Sequence, residues 1–473
     1  MRIFLINPPN KKFISANVPV YISDSNLPPL GLLYIATVLK QNPKHSVKIC
    51  DAAINKLSYE QIARQAASYD AIGITVVTFL LPDVVEIVKA IRKINKAVPI
   101  ILGGPHLAVY PKESIGLEGV TYCLSGECDS SFIKLIEALS NNNEGFESIP
   151  GLHWIENGEI KSNTKGEFID DLDQLPIPDR RLLDYKMYSS ILSHSDSKTH
   201  LTTTMFSSRG CPYECIFCDR PSMGKRFRYH SPGRIIAEIE DCISLGIDEI
   251  IFYDDTFTII AERVREICEL ILQKGLEIKW DIRARVNNIS YDLLSLMKKA
   301  GCSRIHLGVE SGNDEVLKTL KKGITRKLAK EAFGNAHKAG LETLGYFMFG
   351  CPNETLSQMQ DTLDFALELN PNYAHFSVLT PYPGTPVYLN ALKEGLFEKD
   401  YWREYSKNPD TNFIPKVMPN TLPREELIGI LKRAYKKFYM RPNYILKQMA
   451  KVNSWSDLSR KASIAGKILA GKR

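Results

Sequence analysis

The sequence contains no apolar run long enough to cross a bilayer. Its longest apolar stretch, residues 71–81, falls well short of the ~20 residues that a spanning helix needs. The amino terminus has no basic n-region and no cleavage site. Residues 1–7 are apolar but give way to Pro8, Pro9, Asn10, Lys11 and Lys12, which predicts a first strand rather than a signal peptide. A disulfide framework is absent too. The ten Cys are scattered apart from one tight triplet, and in a long chain without export signals that points to a reducing, cytoplasmic compartment. An oxygen-sensitive metal site would be at home there, under anaerobic conditions. No internal repeat or low-complexity tract stands out. Nor is the chain basic throughout. Residues 421–473 carry thirteen Lys/Arg against three Asp/Glu, so the net +6 resolves into a basic tail of +10 and a remainder of −4. This is not a uniformly basic, nucleic-acid-like protein. What is present, 44% hydrophobic and 24% charged residues over 473 positions, is the mix of a soluble globular protein with two or three domains.

The first ~140 residues alternate short apolar runs with amphipathic stretches. Strands are predicted at 2–7, 47–51, 71–77, 99–104 and 122–125, and helices at 31–40, 59–68, 83–96 and 130–140. That alternation implies a parallel sheet covered on both faces, with ligands beyond the carboxyl ends of its strands. A polar break follows, then a small hairpin over residues 151–162 with Asn157-Gly158 as its turn. Residues 170–184 are acidic, carry Pro176 and Pro178, and read as a linker. A second series then predicts strands at 202–206, 249–253, 278–283, 304–309, 344–349 and 373–379. Six βα units suggest a partial barrel, whose chemistry belongs at the carboxyl ends of its strands. Beyond about residue 401 the chain reads as helical and basic.

Directly after the first strand of that second series comes Ser208-Arg209-Gly210-Cys211-Pro212-Tyr213-Glu214-Cys215-Ile216-Phe217-Cys218. Three thiolates at C-x3-C-x2-C lie on one short loop, and thiolates are the ligands that iron–sulfur clusters prefer. A compact loop can wrap one corner of a cubane and leave its fourth iron open. The alternative is structural zinc, which needs a fourth ligand; His230 or Cys242 could be recruited, but neither stands at a standard knuckle spacing.

The loop resembles the hallmark of the radical S-adenosylmethionine (SAM) superfamily, C-x3-C-x-aromatic-C, with Phe217 as the aromatic. The resemblance implies a [4Fe–4S] cluster on Cys211, Cys215 and Cys218, with SAM on the fourth iron. Reductive cleavage of SAM would give a 5′-deoxyadenosyl radical that abstracts hydrogen from an unactivated carbon, while the protein orients and excludes water. Further landmarks follow in barrel order. Tyr253-Asp254-Asp255 ends the second strand, where superfamily members bind the SAM amino group; either Asp could instead cap the next helix. Arg283 and Arg285 close the third strand, where either could meet the SAM carboxylate. Glu310 and Ser311 end the fourth strand and resemble a ribose- and carboxylate-binding segment. Cys351 follows the fifth strand and reads as a buried structural Cys, with a radical-site thiol as the alternative. No further catalytic residue is singled out.

A flavodoxin- or Rossmann-like domain ahead of such a barrel resembles the cobalamin-binding radical SAM class. The residues that agree are Asn7-Pro8-Pro9, Pro28-Pro29-Leu30-Gly31, Gly103-Gly104-Pro105-His106 and Gly126-Glu127. Glycines at strand ends let a backbone approach a large corrin. Many cobalamin domains carry D-x-H-x-x-G after the second strand, with the His on cobalt. Here the segment is Asp51-Ala52-Ala53-Ile54-Asn55-Lys56, so Ala53 and Lys56 stand at the His and Gly positions and no His ligand is available there. His106 lies near the expected pocket without being a cobalt ligand.

The tail includes Tyr435, Phe438, Tyr439, Tyr444 and Trp455 among its basic residues, and reads either as a helical cap over the barrel or as a peripheral membrane contact. The expectation is therefore an α/β protein with a cobalamin-binding domain at 1–142, a hairpin and linker at 143–198, a (β/α)6 radical SAM barrel at 199–400 and a helical region at 401–473. Its expected cofactors are a [4Fe–4S] cluster, SAM and cobalamin, with a flavodoxin or ferredoxin as electron donor and no nucleic-acid partner. The expected activity is C-methylation of a hydrophobic, natural-product-like or lipid-like small molecule. The alternatives are cyclisation or oxidation without methyl transfer, and a corrinoid- or zinc-binding module without turnover. The substrate and the oligomeric state are not in the sequence.

Overall fold

A computed structural model describes residues 1–11, 27–141, 144–166, 168–189, 201–219, 223–450, 459 and 466. Trp455 and almost all of the basic tail beyond residue 450 lie outside the described residues. Among the described residues, no helix is long and apolar enough to cross a membrane.

The first unit runs β1 (Arg2–Asn7), α1 (Leu30–Lys40), β2 (Ser46–Asp51), α2 (Tyr59–Ala66), β3 (Ala71–Thr75), α3 (Leu81–Ile94), β4 (Ile100–Gly103), α4 (Pro111–Ile115), β5 (Tyr122–Leu124), α5 (Cys128–Ser140), β6 (Leu152–Glu156) and β7 (Glu159–Ser162). Strand order is β2-β1-β3-β4-β5-β6-β7. The first five strands are parallel, and both their faces are buried: α1 and α5 pack on one, α2 and α3 on the other. This is why these strands read as continuous apolar runs. The hairpin expected as part of a connector is instead built into this sheet. β6 pairs antiparallel with β5, which covers an edge that would otherwise expose a row of unpaired backbone groups.

The connector then reaches back into both units. Buried Arg180 donates to Thr204 O at 2.8 Å and to Glu238 at 2.8 Å, and Tyr188 Oη donates to Asp51 Oδ2 at 2.9 Å.

The second unit comprises β8 (Thr202–Met205), β9 (Ser208–Arg209), β10 (Arg228–Tyr229), α6 (Pro232–Ser244), β11 (Glu249–Phe252), α7 (Ala261–Gln273), β12 (Lys279–Arg285), α8 (Tyr291–Lys299), β13 (Cys302–Glu310), α9 (Asp314–Thr319), α10 (Arg326–Lys338), β14 (Glu342–Phe349), α11 (Leu356–Leu369) and β15 (Tyr373–Val378). The six long strands are all parallel and stand in chain order from β8 to β15, an open partial barrel. Trp280 of β12 is buried in the core between the strands and their covering helices and donates Nε1–H to Ala300 O at 2.8 Å, so its one polar atom is satisfied.

Then come α12 (Pro386–Lys393), α13 (Tyr401–Lys407), α14 (Arg424–Tyr439) and α15 (Pro442–Met449). α14 closes the free edge of β15. Tyr435 Oη bonds both N and O of Phe376, and Tyr439 Oη bonds both N and O of Ala374, all within 2.8–3.0 Å. That is the cap reading of the tail as far as residue 450.

One apolar cluster joins the two units. It runs from Val76, Leu107 and Tyr110 at the strand ends of the first sheet to Cys351, Leu379, Tyr388 and Trp402 above the barrel, with Phe217 packed against it. The carboxyl edges of the two parallel sheets therefore face one another.

Candidate active site

The triplet loop leaves the barrel through β9 and returns through β10, which pair antiparallel. Gly210 has φ +85°, and a Cβ there would lie 2.3 Å from Arg226 O, so the neck closes only on glycine. Cys211 N donates to Gly224 O at 3.3 Å and Cys218 N to Cys215 O at 3.3 Å. Backbone bonds also moor the loop, from Ile216 N to Leu320 O and from Val387 N to Ile216 O. Asp254 braces it from below. Its carboxylate accepts from Ser207 N at 2.7 Å and from the hydroxyls of Ser207 and Ser208, each at 2.5 Å. Asp254 was expected as a SAM contact or a helix cap; being fully buried, it must be satisfied by protein donors and is spent on the loop.

The donor set fits an iron–sulfur cluster. Burial raises the Cys211 thiol and pushes Cys218 up to about 12, and the carboxylate of Asp255 adds to both. That shift disfavours free thiolates at Cys211 and Cys218, and the positive charge of a cluster core would stabilise them. Arg285 Nη1 already donates to Cys215 Sγ at 3.0 Å. The zinc alternative finds its extra ligands engaged elsewhere. His230 pairs with Asp173 at 3.1 Å, and Cys242 lies in the barrel core.

Around the loop the strand ends sort themselves. Arg283 stacks 3.9 Å above the Tyr253 ring at the mouth. Asp255 opens to the mouth beside them; the surrounding protein displaces enough of its water, and Asp254 lies close enough, to raise its carboxyl. Arg285, expected at the SAM carboxylate, is instead buried: it donates to Cys215 and to Lys322 O and stacks 3.8 Å over Tyr213. A register shift in β13 between Gly308 and Glu310 turns Glu310 (φ +70°) toward Lys322, whose Nζ lies 2.7 Å from Oε1. A Cβ on Gly308 would meet both partners within 2.8 Å. Lys322 also sits 5.7 Å from the Phe217 ring. Ser311 does not join them. Its hydroxyl is fully buried against Thr362 at 3.0 Å and accepts from Asn313 N, so it anchors α9 and α11 rather than a ribose. Lys322, Tyr213 and the lumen pair His306–Tyr346 (3.1 Å) were not anticipated; no local pattern marks them, since only the closed barrel brings them here.

On the facing sheet, Asn7, Pro8, Pro9, Gly103, Gly104, Pro105 and Gly126 gather at one edge. Gly126 faces open space, with nothing within 4 Å of a built Cβ. The side chain of Asn7 is turned inward and donates to Asp51 at 2.9 Å. His106 is buried; its Nδ1 meets Thr78 Oγ1 at 3.0 Å, and burial holds its pKa down to about 4. Lys56, at the glycine position of D-x-H-x-x-G, takes a left-handed conformation (φ +50°). Glu127 is not available to a corrin. It is buried between Arg209 and Arg228 of the barrel.

The comparisons with known proteins agree with this layout. The radical SAM superfamily profile matches residues 205–366, and the B12 binding domain profile matches residues 21–136. An uncharacterized methyltransferase of Pyrococcus horikoshii is 33% identical over 454 residues, which cover 95% of each chain. The chain belongs to the B12-binding class of the radical SAM superfamily. The anaerobic magnesium-protoporphyrin IX monomethyl ester cyclase of Cereibacter sphaeroides is 27% identical over 88% of this chain and 67% of its own. Among solved structures, the radical SAM methyltransferase TsrM of Kitasatospora setae, with cobalamin and a [4Fe-4S] cluster bound, superposes with a TM-score of 0.69 at 18% identity, covering 83% of this chain and 78% of its own. In this radical SAM chain the matched profiles cover both facing edges: the triplet loop lies in the radical SAM profile, and Gly103 and Gly126 in the B12 binding profile.

Proposed function

We propose that this chain is a cobalamin-dependent radical SAM methyltransferase acting on a carbon centre of a hydrophobic small molecule. The observation that carries the reading is the placement of Cys211, Cys215 and Cys218 at the carboxyl edge of one parallel sheet, facing the glycine-rich carboxyl edge of the other. Bound between those edges, a [4Fe–4S] cluster with SAM would supply a hydrogen-abstracting radical, and cobalamin a methyl group. The chain's own residues bind, orient and keep water out. Three thiolates would hold the cluster, and Arg285 donates to the sulfur of one of them. Tyr253, Asp255 and Arg283 are the polar groups left to orient SAM at the mouth, with the buried Glu310–Lys322 pair beside them. Gly103, Gly104 and Gly126 admit the corrin. Phe79, Tyr382 and Trp402 pack edge to face between the two sheets and keep water out of the junction. The chain works in the cytoplasm and receives electrons from a flavodoxin or ferredoxin.

Anaerobic reconstitution tests the reading. It should give about four irons per chain, falling to near zero in C211A, C215A and C218A. A corrin absorption spectrum should survive desalting. Zinc at one equivalent and no iron would overturn the assignment. The relationship to an anaerobic cyclase favours a second reading, ring formation without methyl transfer. S-adenosylhomocysteine formed alongside 5′-deoxyadenosine marks methylation; 5′-deoxyadenosine alone marks the second reading.

A further inference from the structure

The neck of the cysteine loop is held by the other domain. Across the β9–β10 ribbon the paired residues are Arg209 and Arg228, one on each side of the loop that carries the triplet. Both guanidiniums are buried and both point into the first domain, at Glu127 and Asp129. Those two carboxylates stand at the start of α5, immediately after the strand-end glycine Gly126.

The contacts are close and mutual. Arg209 Nη1 and Nη2 reach the two oxygens of Asp129 at 2.8 and 3.3 Å, and Nη1 lies 3.5 Å from Glu127. Arg228 grips Glu127 with both nitrogens, at 2.8 and 2.9 Å. The Tyr34 ring lies 5.2 Å from the Arg209 guanidinium, and the Phe168 ring 4.9 Å from that of Arg228. Arg228 also donates to Met223 O, inside the loop itself, at 3.0 Å, and to Ile169 O in the connector at 2.7 Å. Ile169 N returns a bond to Glu127 Oε2 at 2.9 Å. Two cations and two anions thus balance in a buried, bidentate lattice. Such lattices add little net stability, because desolvation offsets the attraction, whereas their planar geometry holds the joined parts in one register.

We propose that Glu127 and Asp129 are positioning residues for the iron–sulfur loop. The first domain supplies the anions that lock both neck arginines, so the cysteine loop takes its cluster-holding shape only on a docked first domain. A shift at Gly126, where the corrin would approach, is one residue away from the lock. The inference rests on the reading that the triplet holds a [4Fe–4S] cluster.

The test uses the full-length protein, reconstituted anaerobically with iron and sulfide. E127Q keeps the side-chain shape and removes the charge. It should at least halve the iron per chain, shift or broaden the EPR spectrum of the reduced cluster, and speed amide exchange in residues 210–219 and 223–227. E238Q, which breaks the equally buried Arg180–Glu238 pair away from the loop, controls for loss of stability and should keep the wild-type iron content and spectrum. In E127Q/R228M, where no charge is left unpaired at that position, thermal stability should recover while the spectrum does not. A wild-type protein that binds no iron would remove the cluster reading and this inference with it. A wild-type protein with four irons and an E127Q variant indistinguishable from it would overturn the inference alone. So would equal iron losses in E127Q and E238Q.

Discussion

At the scale of single residues, the site is decided by which polar groups are left facing the space between the sheets. Asp254, Ser311 and Glu127 are of the types that bind cofactors, and each is buried and satisfied by protein partners. The cysteines were legible because three ligands fall within one loop, so spacing alone brings them together. Lys322 was not, because its partner Glu310 reaches it only through the shift in β13. Cys351 is buried as expected, and its neighbour Glu354 carries a testable consequence. Cys351 N donates to Glu354 Oε2 at 2.9 Å, and burial raises the Glu354 carboxyl to about 7 from an ordinary 4.5. The folded chain therefore keeps a proton that the unfolded chain has released between those values. The sign follows: this group costs no stability below about pH 4.5, and the cost grows to about 3 kcal/mol as pH rises through 7. E354Q should remove the cost. Urea midpoints of wild type and E354Q should diverge from pH 5 to pH 8, with the variant gaining; parallel curves would refute it.

At the scale of elements, period and punctuation carried most of the reading. Five parallel strands of the first sheet and six of the barrel stand within a few residues of their expected places: the former are apolar because both faces are buried, and the latter keep one apolar face toward their helices. The hairpin was legible as a hairpin from Asn157-Gly158, but its pairing with β5 was not, since a turn says nothing about which edge its strands will cover. The same holds for α14, whose tyrosines seal β15. The triplet loop depends on one local condition that sequence does mark, the glycine before the first Cys. G210A places a Cβ against Arg226 O and a non-glycine residue at φ +85°. The expected cost is about 1–3 kcal/mol, confined to the loop. Iron content should collapse while the melting temperature falls by only a few degrees; unchanged iron loading would show that the neck tolerates the change.

At the scale of the whole molecule, docking of the two units creates the site. Asp400 accepts from Tyr110 of the first unit and from Tyr388 of the second, both at 2.8 Å, and Tyr405 Oη donates to Thr78 O at 3.1 Å. Trp402 lies fully buried at this junction, with Nε1 donating to Pro381 O at 2.9 Å. W402A should cost about 3–5 kcal/mol. Because the loss falls at the junction, calorimetry should resolve the single unfolding transition into two, and corrin retention after desalting should drop. One cooperative transition with full retention would mean that the ion lattice at Glu127 suffices to hold the units together. What the sequence by itself determined is the order of strands and helices, the cysteine loop and the family to which both belong, since each is written in short-range spacing. Only the tertiary structure decided which carboxylates and arginines stay open at the barrel mouth and which join the domains. A charged residue has the same local signature in either role, and its role depends on what the fold buries against it.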